Sequence, residues 1–329
     1  MRNSDLRLVA ALALSATLVA PSVEAQHRPE GFLVERFNPS PAGGGWFVTD
    51  SLDMHGGLGG TMALTVGYAH DPLRVTDGTT RLAVVSDQAF AGFGFAATYD
   101  RLRLSLQLNM PLLVQGQSGM VGNTSYVGPN LDLGTNPDSI TDARVGVDAR
   151  VFGTHDGPVR LGIGGYVFFP NKRSPDYTGY TPPNYNSDGV FRAMLNALVA
   201  GDLGTLVYAG QAGIHVRPLD DTPAVGPRGS ELVFGLAAGL RFLVGSTGSA
   251  AVVVGPELFG QSAFGSFLGR DSTGFEALLT GRIEGTAERG TQVRVKLGGG
   301  PGISQHFGTP EWRAVLGLEV FDRGGLLER

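Results

Sequence analysis

The chain contains no cysteine. That excludes a disulfide framework and a lipid-modified N-terminal cysteine, so anchorage or solubility has to come from something else. A membrane-crossing apolar helix is missing too. The best stretch, Leu8 to Ala20, gives roughly 13 residues before Pro21, where a span needs about 20. Charge of one sign is also scarce: 25 Lys and Arg face 30 Asp and Glu, for a net charge of -5. Without a basic footprint, nucleic acid is excluded as a partner.

Signatures of catalysis are absent as well. There is no Gly-x-Ser-x-Gly elbow, Walker loop or His-Glu-x-x-His helix, and the glycine clusters at 56–60 and 298–302 sit at strand ends and loops rather than in a βαβ unit. His27, His55, His70, His155, His215 and His306 are scattered through different segments, which gives no local metal-ligand spacing. They read as loop or lumen residues. An embedded hydrolase would need a Ser and His paired on one rim. Ser304 with His306, or His215 with a neighbouring serine, are the candidates, and no orienting group marks either. The expectation is a protein that is not an enzyme and needs no cofactor.

What is present begins with the N-terminus. Arg2 and Arg7 flank the short apolar run, and Val23-Glu24-Ala25 precedes Gln26, which is the layout of a cleaved secretory signal over residues 1–25. Glycine follows: 51 residues, dispersed along the chain, about twice the usual ~7%. Inward glycines relieve crowding and allow curvature in a closed sheet.

Period-two alternation then carries the argument. Phe93, Phe95, Ala97 and Tyr99 alternate with Gly92, Gly94, Ala96 and Thr98; after Asp100-Arg101, Leu102, Leu104, Leu106 and Leu108 alternate with Arg103, Ser105 and Gln107. Two strands of about ten residues on a very short turn are what a tilted membrane-spanning hairpin requires. The pattern recurs near 60–70, 143–151, 159–163, 190–200, 205–217, 230–244, 249–260, 272–284, 291–300 and 310–321. Short connections near 100–101, 153–157, 201–204, 245–248 and 285–290 alternate with longer polar ones near 71–89, 113–139, 170–189, 218–229, 261–271 and 301–309. The expected fold is all-β: a transmembrane antiparallel β-barrel of about twelve strands, with short periplasmic turns, long extracellular loops and both mature termini in the periplasm. It would occupy residues 57–321, with a short tail at 322–329.

A sheet immersed in lipid must close, because no solvent is there to satisfy an open edge. Its inward face is then the polar one. By alternation the lumen holds about ten basic and about six acidic side chains: Arg103, Arg144, Arg150, Arg160, Arg192, Arg241, Arg282, Arg294, Lys296 and Arg313 against Asp148, Glu231, Glu257, Glu276, Glu284 and Glu319. A surplus of positive charge would favour anions. Both signs are interspersed, however, which favours a lattice of Arg–carboxylate pairs bracing a narrow lumen. Tyr68, Tyr99, Phe169, Tyr208, Phe242 and Trp312 are candidates for interfacial girdles. Residues 26–56 carry no strand pattern, and read either as a periplasmic lead-in or as a segment folded into the lumen to narrow or plug it.

Val34-Glu35-Arg36-Phe37-Asn38-Pro39-Ser40-Pro41, Trp46-Phe47-Val48, Gly67-Tyr68-Ala69-His70-Asp71-Pro72-Leu73 and Thr309-Pro310-Glu311-Trp312-Arg313 resemble the N-terminal barrel region of OmpA-family outer-membrane proteins of myxobacteria and relatives. The resemblance covers most of the mature chain and rests on structural motifs. Members commonly continue into a peptidoglycan-binding domain, which the short tail after the last strand cannot replace, so a wall-anchoring role is not inherited. Asp142-Ala143-Arg144-Val145-Gly146 is also similar to FadL-type barrels that pass hydrophobic compounds.

These readings converge on the bacterial outer membrane. The expected role is structural or that of a narrow passive channel. The alternative is a FadL-like transporter of hydrophobic small molecules, which requires an apolar lumen patch and a plug at 32–56. A soluble β-sandwich stands third, and requires Leu102, Leu104, Leu106 and Leu108 to face a protein core. Expected partners are outer-membrane lipids, the barrel-assembly machinery and small solutes.

Overall fold

A computed structural model describes residues 33–132, 141–170, 185–219, 229–245, 249–286, 290–304 and 308–322. The signal segment 1–25 and the tail beyond Asp322 lie outside it. Fifteen strands follow in chain order: β1 (Leu58–Thr76), β2 (Arg81–Tyr99), β3 (Leu102–Gln115), the short β4 (Gly119–Val121), β5 (Thr124–Tyr126) and β6 (Asn130–Asp132), then β7 (Ala143–Phe152), β8 (Arg160–Phe169), β9 (Arg192–Leu203), β10 (Leu206–Val216), β11 (Glu231–Val244), β12 (Ala250–Ala263), β13 (Thr273–Gly285), β14 (Thr291–Pro301) and β15 (Trp312–Asp322).

The twelve long strands make one closed antiparallel barrel. Each pairs with its neighbour in sequence, β3 pairs directly with β7, and β1 closes the ring by pairing with β15 from Gly60↔Asp322 to His70↔Trp312. Closure leaves no edge strand in the wall.

Alternation decides which way each side chain points. Met62, Leu64, Val66, Leu104, Val147, Leu195, Leu236, Leu297 and Leu316 are exposed on the outer surface, while Thr61, Thr65, Arg103, Asp148, Asn196, Lys296 and Glu319 are buried inside. In water such an outer surface would be a severe aggregation hazard. Around a barrel it is a lipid-facing band, and the leucines that a β-sandwich would have packed inward instead face out. Tyr99, Tyr208 and Phe242 ring the short-turn end, and Trp312, Tyr68 and Phe169 the other. Trp312 packs on Tyr68 at 5.1 Å, and Phe169 on Phe191 at 5.6 Å. A closed barrel with an apolar band between two aromatic girdles is the architecture of the bacterial outer membrane. Arginine in place of Leu316, at the middle of β15 and 51% exposed, is expected to cost about 2–4 kcal/mol. Urea unfolding of the barrel in phospholipid vesicles measures it, and an unchanged midpoint would show that this face does not meet lipid.

Two sequence expectations need correction. The connection expected at 71–89 is the stem of a long hairpin: β1 runs to Thr76 and β2 starts at Arg81. Asp71-Pro72 looked like a turn because it is a bulge: Asp71 has φ 51° and the pairing shifts register between His70 and Leu73. The true turn is Asp77-Gly78-Thr79-Thr80, where Asp77 accepts hydrogen bonds from the amides of Thr79 at 2.9 Å and Thr80 at 2.7 Å. Those donors hold its carboxyl down to about 2. Similarly, the region expected as a loop at 113–139 contains the end of β3, the β4–β5 hairpin and β6. Of the expected loops, 170–189 and 218–229 lie mostly outside the described residues.

The chain before β1 bears on the two readings left open for residues 26–56. β1 begins and β15 ends at the short-turn end, where Leu58 faces Tyr99 and Gly60 faces Asp322. Residues 33–56 do not stay at that end, as a lead-in would, and so take the second reading. They run through the lumen, from Leu33 and Val34 at the long-loop end to Asp53 and His55 at the short-turn end.

Candidate functional site: the occupied lumen

Residues 33–56 lack a strand's alternation because they are packed on all sides. Proline at 39 and 41 and glycine at 43–45 fold them into a compact turn, with Ser40 N donating to Phe47 O at 2.8 Å and Ser51 N to Gly44 O at 2.8 Å. Trp46, Phe47, Leu52 and Met54 are almost completely buried.

The wall receives the aromatics in recesses made by glycine. A Cβ on Gly239 of β11 would lie 2.7 Å from the Trp46 indole, and one on Gly298 of β14 would lie 2.8 Å from the Phe47 ring. Ala209, Ala237, Val253 and Leu198 complete the Trp46 recess. Phe37, Phe90, Phe259, Leu278 and Val315 pack around Phe47 and Val48. The lumen therefore carries apolar patches among its charges, which strict polar-inward alternation does not foresee. The signal was the small residues at inward positions of β10 and β11.

Of the sixteen side chains expected to line the lumen, fifteen are buried: Arg103, Arg144, Asp148, Arg150, Arg160, Arg192, Glu231, Glu257, Glu276, Arg282, Glu284, Arg294, Lys296, Arg313 and Glu319. Arg241 is half-buried at the short-turn mouth, 3.5 Å from Asp202. The others fall into clusters at successive levels. Near the short turns, Arg294 contacts Glu319 at 2.6 Å and also pairs with Glu284, and Lys296 contacts Glu319 at 2.7 Å. Arg282 lies 3.6 Å from Glu284, and Arg160 3.2 Å from Asp202. Arg103 pairs with Asp148 at 3.2 Å and with Asp50 of the lumen segment. Toward the long loops, Arg313 joins Glu276 at 2.9 Å and Glu35 at 3.0 Å. There Arg192 joins Asp142 at 2.7 Å, and Arg36, Arg217, Asp188 and Glu231 form one network.

Sequence reasoning missed Glu35, Arg36, Asp50, Asp53, Asp142 and Asp188, because they stand in segments without strand periodicity, and Arg217, the last residue of the expected strand at 205–217. They complete the balance. The wall's surplus of positive charge meets the carboxylates of Glu35 and Asp50 and backbone carbonyls of the same segment. Arg144 donates to Pro39 O at 2.6 Å, Arg150 to Leu52 O at 3.4 Å and Lys296 to Trp46 O at 3.2 Å. In the opposite sense, the amides of Phe47 and Val48 donate to Glu257 at 2.9 and 3.0 Å. Burying so many charges is tolerable only because nearly every one has a partner.

Among the described residues, cavities lie between the segment and the wall. One of about 30 Å³ is lined by Pro39 to Pro41, Asn196, Gln211, Val233 and Phe259. Another, about 280 Å³, opens at the short-turn end and is lined by Trp46, Asp53, His55, Val207, Arg241 and Glu284. Along β10 the order is Val207, Ala209, Gln211; along β11 it is Arg241, Gly239, Ala237, Gly235, Val233. The Trp46 recess at Ala209, Ala237 and Gly239 thus lies between the two cavities. At the far mouth Val34, Leu73, Val84, Val114, Leu131 and Tyr185 form an apolar cluster.

No known family's sequence profile matches the chain, and no curated protein matches it. Among solved structures it is similar to the COG4313 outer membrane channel from Pseudomonas putida F1, at 13% identity and TM-score 0.48, covering 81% of this chain and 95% of that one. It is also similar to the NanC porin, at 8% identity and TM-score 0.43, covering 79% and 98%. A third similarity is to the CymD monoaromatic hydrocarbon channel, at 13% identity and TM-score 0.40, covering 82% and 89%.

Proposed function

We propose that this outer-membrane barrel is a narrow passive channel held closed by its own residues 33–56. The observation that carries the reading is the line of two cavities along the β9–β12 wall, interrupted by Trp46 in its recess. A segment whose only task was to brace the barrel would have no reason to leave a cavity of about 280 Å³ beside it. Small solutes would follow this wall once the indole is displaced. Passage of hydrophobic molecules is the second reading, and the apolar lining of the recess by Ala209, Ala237, Val253 and Leu198 favours it.

Single-channel recording in a planar bilayer tests the proposal. The intact barrel is expected to be silent or to open briefly, and a variant lacking residues 33–56 to give stable steps. With the segment gone, the wall's basic excess should make those steps anion-selective, as read from the reversal potential under a salt gradient. Both proteins must keep heat-modifiable mobility as proof of folding. Silence of a folded deletion variant would leave a structural role and sink the channel reading. Entry of an apolar fluorophore into vesicles, with no ion current, would instead select the hydrophobic route.

A further inference from the structure

The six histidines have no ligand spacing in sequence, yet the fold brings two of them together a hundred residues apart. His55, at the end of the lumen segment, stacks on His155 of the β7–β8 turn with ring centroids 4.1 Å apart. Asp53 joins them, its Oδ1 3.2 Å from His55 Nδ1. One ligand atom from each of the three falls within 4.8 Å of the others.

We infer that Asp53, His55 and His155 form a binding site for a divalent late first-row cation of the zinc and copper class. Two imidazoles and one carboxylate are the donors that such ions prefer, and three protein ligands leave a position for water. Calcium or magnesium would call for an all-oxygen set.

Both halves of the site are held before any ion arrives. On one side, Leu52 and Met54 are fully buried anchors that flank Asp53, and Met54 directly precedes His55; Asp50 accepts from Leu52 N at 2.7 Å, and Met54 N donates to Leu52 O at 2.9 Å. On the other, the His155 carbonyl accepts from Arg160, Gly157 N donates to Thr154 O at 3.2 Å, and Tyr208 hydroxyl donates to Pro158 O at 2.8 Å. Two of the nearby guanidiniums are already neutralised: Arg160 by Asp202, and Arg294 by Glu284 and Glu319, with Asp53 farther off at 3.9 Å. The three residues also border the cavity at the short-turn mouth, which gives an ion and its water an entry path. A second cluster, His70, Asp71 and Glu311, is a poorer candidate because Arg74 and Arg81 occupy its carboxylates at 2.8 Å.

The inference stands apart from the channel reading, since binding is measured whether or not the barrel conducts. The intact protein, stripped with chelator, is titrated with Zn²⁺ by calorimetry, and loaded with Cu²⁺ for electron paramagnetic resonance. One equivalent should bind, with coupling to two nitrogens in the copper spectrum. His155→Ala and His55→Ala should each weaken binding by at least the ~10–100-fold that loss of an outer-shell partner costs elsewhere, whereas His70→Ala should leave it unchanged. His155 lies in a surface turn, so its variant keeps the test valid if His55→Ala disturbs the lumen. Absence of Zn²⁺ binding, binding indifferent to His155→Ala, or a copper spectrum without nitrogen coupling would each overturn the assignment.

Discussion

Trp46→Ala is expected to raise channel opening sharply above that of the unaltered barrel. Removing the indole empties the recess formed by Ala209, Ala237, Gly239 and Val253 and joins the cavities on either side. It should also cost about 3–5 kcal/mol of stability, as truncation of a buried aromatic does. The informative control is Phe47→Ala. Phe47 is equally buried but sits against Gly298 and Gly317 on the other side of the lumen, bordering neither cavity. It should therefore lose comparable stability without gaining conductance. If both variants open alike, closure comes from general packing of the segment and the Trp46 constriction is wrong.

Arg103→Met is expected to destabilise the lumen as strongly as the loss of a buried aromatic. Its guanidinium is 1% exposed and lies between two carboxylates that are themselves buried, those of Asp50 and Asp148. Without the cation, both are left facing each other out of water, a loss of about 3–5 kcal/mol. The Tyr166 hydroxyl still donates to Asp148, but Asp50 keeps only a backbone donor, Leu52 N. Arg103→Lys should lose less, since it keeps the charge and gives up only the fork that spans two acceptors. Adding Asp50→Asn to Arg103→Met should recover part of the loss, because one of the two orphaned charges is gone. The chain's two tryptophans make the readout simple. With Trp312→Phe, fluorescence of Trp46 during urea titration reports release of the lumen segment, while heat-modifiable mobility reports the barrel. An unchanged midpoint for Arg103→Met would mean that the ion-pair lattice does not hold the segment.

The barrel was legible because period two is imposed on every strand by a single boundary condition, lipid outside and charge inside. Leu102 to Leu108 and Leu232 to Phe242 display it without ambiguity. It failed where the chain leaves that boundary. Beyond His70, β1 continues past a bulge, and Leu73, Val75 and Val84 turn toward an apolar cluster at the mouth, so the lipid pattern no longer applies and the segment looked like a loop. The wall charges could be assigned from parity alone. Their partners could not, because Asp50, Glu35 and Arg36 belong to a segment whose position is fixed by tertiary fit and has no period to read. The same holds for His55 and His155, which only the threading of residues 33–56 brings into contact.

That threading has a consequence for how the molecule is made. The β1–β15 seam joins residues near 60 to residues near 320, the most distant strand pairing among the described residues, and loop entropy makes such a pairing slow to form. If the seam closes last, the segment is already inside when it does, and Trp46 meets its recess as the wall is laid around it rather than through a finished one. Until Asp50 and Glu35 arrive, Arg103 and Arg313 lack two of their carboxylate partners. A segment present that early would serve as a mould for the strands, and a chain deprived of it is then expected to insert more slowly even where the closed barrel is stable.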